Sequence, residues 1–88
     1  MGFTVLPPEA IINEIGYYLL GEKNFDKSFG FLEMNVRNYP DSPNAFDSLG
    51  DWYAAAKQND KAIENYEKSL KLQEMPDTRK KLEQLKKS

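Results

Sequence analysis

The chain contains no cysteine and no histidine among its 88 residues. Without thiols it has neither disulfides nor a thiolate nucleophile, and nothing in it points to a redox compartment. Without imidazole it lacks the commonest acid–base group at neutral pH and the usual zinc ligands, which leaves only carboxylates for a hard cation. Asp41, Asp47 and Asp51 do not sit in an Asp-x-Asp-x-Asp-Gly loop closed by Glu, so caps and a solvated face explain them more simply. No Gly-x-Ser-x-Gly elbow is present, and a Ser-His-Asp triad is impossible. The expectation is a chain with no catalytic residues, no cofactor and no metal.

Positive charge is not in excess either. A net charge of −2 and a pI near 5.1 argue against nucleic acid, which is gripped by clustered Lys and Arg. The basic run Arg79-Lys80-Lys81, with Lys86-Lys87 beyond it, is interleaved with Glu83 and has no stacking aromatics; a helix C-terminus that welcomes positive charge accounts for its end. No apolar run approaches the length that crosses a membrane, so no membrane partner is expected. Residues 1–6 lack the basic start and long apolar run of a signal peptide, and compartment stays open. Residues 1–7 read as a tether or an expression remnant that stops at Pro7-Pro8, so the chain is expected to be a piece of a longer protein.

What remains is one small domain with 40% hydrophobic and 30% charged residues, the balance of a soluble globular or helical-repeat protein. Its organising stretch is residues 44–72. Phe46, Leu49, Gly50 and Tyr53 fall on one helical stripe and Ala62, Ile63, Tyr66, Ser69 and Leu70 on another, separated by the polar turn Lys57-Gln58-Asn59-Asp60. A small residue beside bulky ones on each stripe, Gly50 or Ala62, lets two helices approach closely.

The preceding residues follow the same plan. Pro8 opens a helix whose apolar face is Ile11, Ile12, Ile15, Gly16, Tyr18 and Leu19, with Gly21 as its C-terminal breaker. Phe25, Phe29, Leu32, Val36 and Tyr39 make the next stripe. Ser42 caps the third helix and Pro43 enters its first turn. A shift of 34 residues lays Ile12 on Phe46, Ile15 on Leu49, Gly16 on Gly50, Leu19 on Tyr53, Ser28 on Ala62, Leu32 on Tyr66 and Val36 on Leu70. Pro40-Asp41-Ser42 returns 36 residues later as Pro76-Asp77-Thr78, which places Leu82 and Leu85 on Phe46 and Leu49 and implies a two-residue insertion at Gln73-Glu74-Met75. The expected architecture is all-α: repeats at 8–40 and 41–75 and a closing helix within 76–88, five helices in all.

This pattern resembles the tetratricopeptide (TPR) family. Phe46 stands where the family usually has Trp, Leu49-Gly50, Tyr53 and Ala62 match directly, and Tyr66 stands where Phe is usual. The resemblance implies a right-handed stack of helical hairpins. More particular stretches, Pro7-Pro8-Glu9, Ile12-Asn13-Glu14-Ile15-Gly16-Tyr17, Asn35-Val36, Asn38-Tyr39-Pro40 and Asp47-Ser48-Leu49-Gly50-Asp51, are similar to the short TPR tail that follows the catalytic domain in some bacterial α/β-hydrolase esterases and β-lactamase-like serine hydrolases. That similarity covers nearly the whole chain from Pro7 and implies an accessory segment whose enzyme lies upstream.

In a TPR stack the concave surface is lined mainly by the first helix of each pair. Helical spacing puts Asn13, Tyr17 and Leu20 there from the first repeat and Asp47, Asp51 and Ala54 from the second, with Lys80, Glu83 and Lys87 from the closing helix. The face admits two readings: a groove for a peptide or partner helix in which the aspartates seek a basic group, or a solvated polar surface. Trp52, the only tryptophan, also admits two, packing between repeats or a place on a ligand surface. The first helix carries more apolar surface than one neighbour covers, so some of it is expected to meet another chain, a homodimer mate included, or a parent domain. The expected function is a non-catalytic protein-interaction or domain-packing module; the alternative is a free-standing adaptor that binds a peptide.

Overall fold

Five helices account for most of residues 7–87, the part of the chain described by the computed structural model: α1 (Glu9–Gly21), α2 (Phe25–Asn38), α3 (Pro43–Ala55), α4 (Asn59–Leu72) and α5 (Pro76–Lys87). No strand occurs among the described residues. Most of the tether expected at 1–7 lies outside them; Pro7 is non-helical, and its carbonyl accepts the Tyr39 hydroxyl at 2.8 Å.

Both hairpins close with the same turn. Lys23 and Lys57, which are 34 residues apart, have φ of 61° and 62°. In the first, the Asn24 N–H reaches Leu19 O and the Lys23 N–H reaches Leu20 O; in the second, Gln58 and Lys57 do the same to Tyr53 and Ala54. This pair of bonds recaptures carbonyls orphaned by the end of a helix. The left-handed residue is therefore a lysine, and Gly21, expected to break the helix, is its last helical residue. At the start of α3, Ser42 Oγ accepts the Ala45 N–H at 3.3 Å with Pro43 in the first turn, as expected.

Within each hairpin the crossing point is a glycine. A Cβ at Gly16 would lie 2.4 Å from Leu32 Cδ2, and one at Gly50 would lie 2.6 Å from Tyr66 Cδ1. Only a hydrogen fits at either place, so both helix pairs approach closely at equivalent positions. A second repeated tie lies near the hairpin base. Asn35 Nδ2 donates to Glu9 O at 3.0 Å, and Ser69 Oγ donates to Pro43 O at 2.7 Å, again at positions 34 apart. Both side chains are buried.

Between hairpins, α2 packs on α3 and α4 on α5, while α1 touches α3. Leu32, Leu49 and Trp52 centre one core cluster, and Ala62, Tyr66 and Leu82 a second; Tyr53 packs against both and joins them. Trp52 settles into the first, its ring 6.0 Å from that of Phe25 and 4.8 Å from that of Phe29, with Nε1 donating to Phe25 O at 3.0 Å. Of its two expected places, it takes the one between repeats.

The closing helix departs from the expected register. Pro43 follows Glu9 by 34 residues, but Pro76 follows Pro43 by 33. Three residues join α4 to α5 where four join α2 to α3, so the link is shorter by one residue and holds no insertion. Pro76 opens α5 as Pro43 opens α3, whereas Pro40 lies in a turn. The recurring Pro-Asp-Ser/Thr letters thus serve different roles, and Thr78, Leu82 and Leu85 take the places of Ala45, Leu49 and Trp52.

Candidate functional site

The first helices of successive hairpins lie side by side, and their facing side chains form one polar network. Tyr17 on α1 and Asp51 on α3, equivalent positions under the 34-residue shift, meet directly: the phenol donates to Asp51 Oδ2. From α4 the Tyr66 hydroxyl donates to Asp51 Oδ1 at 2.5 Å. From α5 the Lys81 ammonium lies 3.0 and 3.2 Å from the Asp51 oxygens and 3.1 Å from Asp47 Oδ2, over the Tyr66 ring at 5.3 Å from its centroid. Thr78 Oγ1 completes the set with a 2.7 Å bond to Asp47 Oδ1.

These contacts set the protonation of the cluster. Burial, then the hydrogen bond and negative charge of Asp51, push the Tyr17 and Tyr66 phenols well above the ordinary tyrosine range. Burial works against the Lys81 ammonium, but hydrogen bonds to Asp51 and Asp47 outweigh it and hold the lysine above its usual value. The side chains of Asp47, Asp51 and Lys81 keep 19%, 20% and 34% of their surface exposed, so the cluster is partly screened by solvent. The basic group that the two aspartates were expected to find on a ligand is supplied by α5. Two carboxylates against one ammonium still leave the cluster negative.

Beside the network an open cleft of about 370 Å³ separates α1 from α3, lined by Glu9, Asn13, Glu14, Tyr17, Asn44 and Asp47 among others. No Lys or Arg lines it. Asn13 lines the cleft, while its Oδ1 is buried without a hydrogen-bond partner. Of the residues expected to line a groove, Asn13, Tyr17 and Asp47 line this cleft and Asp51 stands behind them in the network.

Leu20 and Ala54 do not line it. Leu20 packs on the Leu32–Leu49–Trp52 cluster and Ala54 on the Ala62–Tyr66–Leu82 cluster. Each lies in the last turn of its helix, against the core. Lys80, Glu83 and Lys87 are exposed on α5 outside the network, and Lys81, unselected from the sequence, holds its centre. Aligning Pro76 with Pro43 by their shared role at a helix start carries Asp47, Asp51 and Ala54 to Lys80, Gln84 and Lys87 and sets Lys81 on Ser48, so the repeat pattern does not single Lys81 out. Among the described residues no group of three or more acidic side chains is arranged to hold a metal ion, and no helix is long and apolar enough to cross a membrane.

Searched against protein-family models and against curated proteins, the chain finds no match.

Proposed function

We propose that the chain is a non-catalytic protein-interaction module of the TPR type whose α1–α3 cleft takes a basic side chain of a partner segment. The observation that carries this reading is a cleft that presents Glu9 and Glu14 and is lined by no Lys or Arg, beside an Asp47–Asp51–Lys81 cluster that is itself net negative. A Lys or Arg head group brings the donors and the charge this surface lacks, whereas a peptide carboxylate meets like charge.

The test is a titration of the labelled protein with two short peptides, one ending in Arg-Arg and one in Glu-Glu, followed by backbone amide shifts. The basic peptide is expected to shift Asn13, Tyr17 and Asp47. Glu14→Gln, at an exposed position, is expected to weaken it by roughly threefold to tenfold, with the effect shrinking at high salt. Equal binding of both peptides, or shifts away from these residues, sinks the proposal.

The same reading makes the module the C-terminal accessory segment of a larger bacterial hydrolase, supported by its similarity to esterase tails and by the absence of a catalytic set of its own. The native reading frame upstream of Phe3 decides it: a hydrolase there supports the accessory role, and a start codon at Met1 leaves a free-standing adaptor.

A further inference from the structure

In this stack the second helix of each hairpin covers the first helix of the next: α2 lies on α3, and α4 on α5. On α3 the covered stripe is Ala45, Leu49 and Trp52, which are 1%, 6% and 9% exposed. The 34-residue shift carries those three positions to Ile11, Ile15 and Tyr18 on α1. They share one helix face, spaced four and three apart. They are 53%, 36% and 68% exposed. The two stripes therefore have the same apolar chemistry and differ in what lies over them.

We propose that the Ile11–Ile15–Tyr18 stripe is the docking surface for an amphipathic helix of a partner protein, seated as α2 is seated on α3. The partner presents bulky apolar side chains at the spacing of Phe25, Phe29, Leu32 and Val36, with Lys or Arg beside them. Two observations select this occupant. First, α1 carries Glu9 and Glu14 and no Lys or Arg between Glu9 and Gly21, and exposed Glu14 and Glu22 flank the stripe. A basic helix gains from that rim. Second, a neighbouring copy of this chain is poorly equipped: its α2 and α4 already lie on α3 and α5, and pairing α1 with α1 sets like carboxylates together. Tyr18 also ends in a hydroxyl donor, as Trp52 ends in an indole N–H that bonds the first carbonyl of α2.

The test uses the full chain, isotopically labelled, with two synthetic peptides: residues 24–39 of this sequence, and the same peptide with Asp26→Lys and Glu33→Lys. Both are expected to shift the amides around Ile11, Ile15 and Tyr18. The lysine-substituted peptide is expected to bind about fivefold to tenfold tighter and to lose that advantage at about 0.5 M salt, where screening is nearly complete. Tyr18→Glu is expected to weaken binding at least about tenfold. Because Tyr18 is exposed, circular dichroism and Tm of that variant should match the parent.

Three results would overturn the proposal: no shifts at millimolar peptide, equal affinity for the two peptides, or shifts confined to Asn13 and Asp47. A concentration-dependent dimer in sedimentation that Tyr18→Glu dissolves would assign the surface to a second copy instead.

Discussion

α1 and α3 are near-duplicates with opposite surroundings. Each presents a glycine to the second helix of its hairpin, each is followed by a turn with a left-handed lysine, and each offers its first carbonyl region to a buried polar side chain. Yet the stripe that is sealed on α3 is open on α1. The glycine crossing, the closing turn and the basal tie within a hairpin are thus repeated, although the Ser28-to-Gly16 and Tyr66-to-Asp51 bonds have no counterpart at Ala62 and Leu32, whereas contacts between hairpins depend on position in the stack. This is how linear arrays behave: stability divides into a part intrinsic to each unit and a part owed to neighbours.

The strongest way to break the comparison is to truncate the same position in both helices. Trp52→Ala removes a buried indole with three ring contacts and a hydrogen bond, and is expected to cost ~3–5 kcal/mol. A chain of this size has about 4–13 kcal/mol in total, so that variant should melt broadly or lie partly unfolded at room temperature. Tyr18→Ala at the equivalent, exposed position is expected within about 0.5 kcal/mol of the parent. Urea unfolding of the pair measures the difference; equal losses would mean that the α1 stripe is covered in the native protein.

The glycines offer a finer test. An added methyl must displace Leu32 at Gly16 and the Tyr66 ring at Gly50. Overpacking costs roughly 1–3 kcal/mol, and alanine's better helix propensity returns about 1 kcal/mol. The Tyr66 ring is tethered at its hydroxyl by Asp51, while the end of Leu32 is an untethered isobutyl group. Gly50→Ala is therefore expected to destabilise more than Gly16→Ala, by about 1 kcal/mol. Thermal melts of the two variants decide the order.

Alkali should separate the two halves as well. Tyr17 and Tyr66 hold their protons in the native state at pH values where an unfolded tyrosine, titrating near pH ~10, has released them. Above that pH the unfolded chain binds fewer protons, so stability falls as pH rises. Lys81 acts in the same sense: its native value is raised, so its contribution is complete below the unfolded value of about 10.4 and is lost on passing the native one. Two of these three groups belong to α4 and α5, so exchange of their amides is expected to accelerate first. Tyr66→Phe should move the alkaline transition upward while costing about 1 kcal/mol at neutral pH. An unmoved transition would show that the phenol does not control it.

The hairpins could be read from sequence because their determinants are local or strictly periodic: apolar spacing, Gly16 against Gly50, and the Ser42-Pro43 helix start. The site was legible only in part. Asn13, Tyr17, Asp47 and Asp51 follow from their helix face alone, but Leu20 and Ala54 lie where helix packing at the end of the hairpin decides between core and cleft. Lys81 was hidden for two reasons: the Pro-Asp-Thr of a linker one residue shorter imitates a turn that it does not form, and in the true register Lys81 aligns with Ser48, reaching Asp47 and Asp51 only through its long side chain. Nor does Lys23 advertise a left-handed backbone; the pair of carbonyl bonds around it imposes that conformation.

A further test comes from the polar tie that the hairpins share. Asn35 and Ser69 each donate to the start of the first helix, but Asn35 also buries an amide oxygen that has no partner. Asn35→Ser discards that oxygen, relieving a desolvation cost of roughly 1–3 kcal/mol, and leaves a small void that costs about 1 kcal/mol. The hydroxyl also has the reach its counterpart uses at Ser69. Stability is therefore expected to stay within about 1 kcal/mol of the parent in urea titration. The reverse exchange, Ser69→Asn, forces a larger group into a filled position and should cost about 1–3 kcal/mol. A heavy loss from Asn35→Ser would mean that the two hairpin bases are packed differently despite their common bond, and the near-duplication would then stop at the glycine crossings.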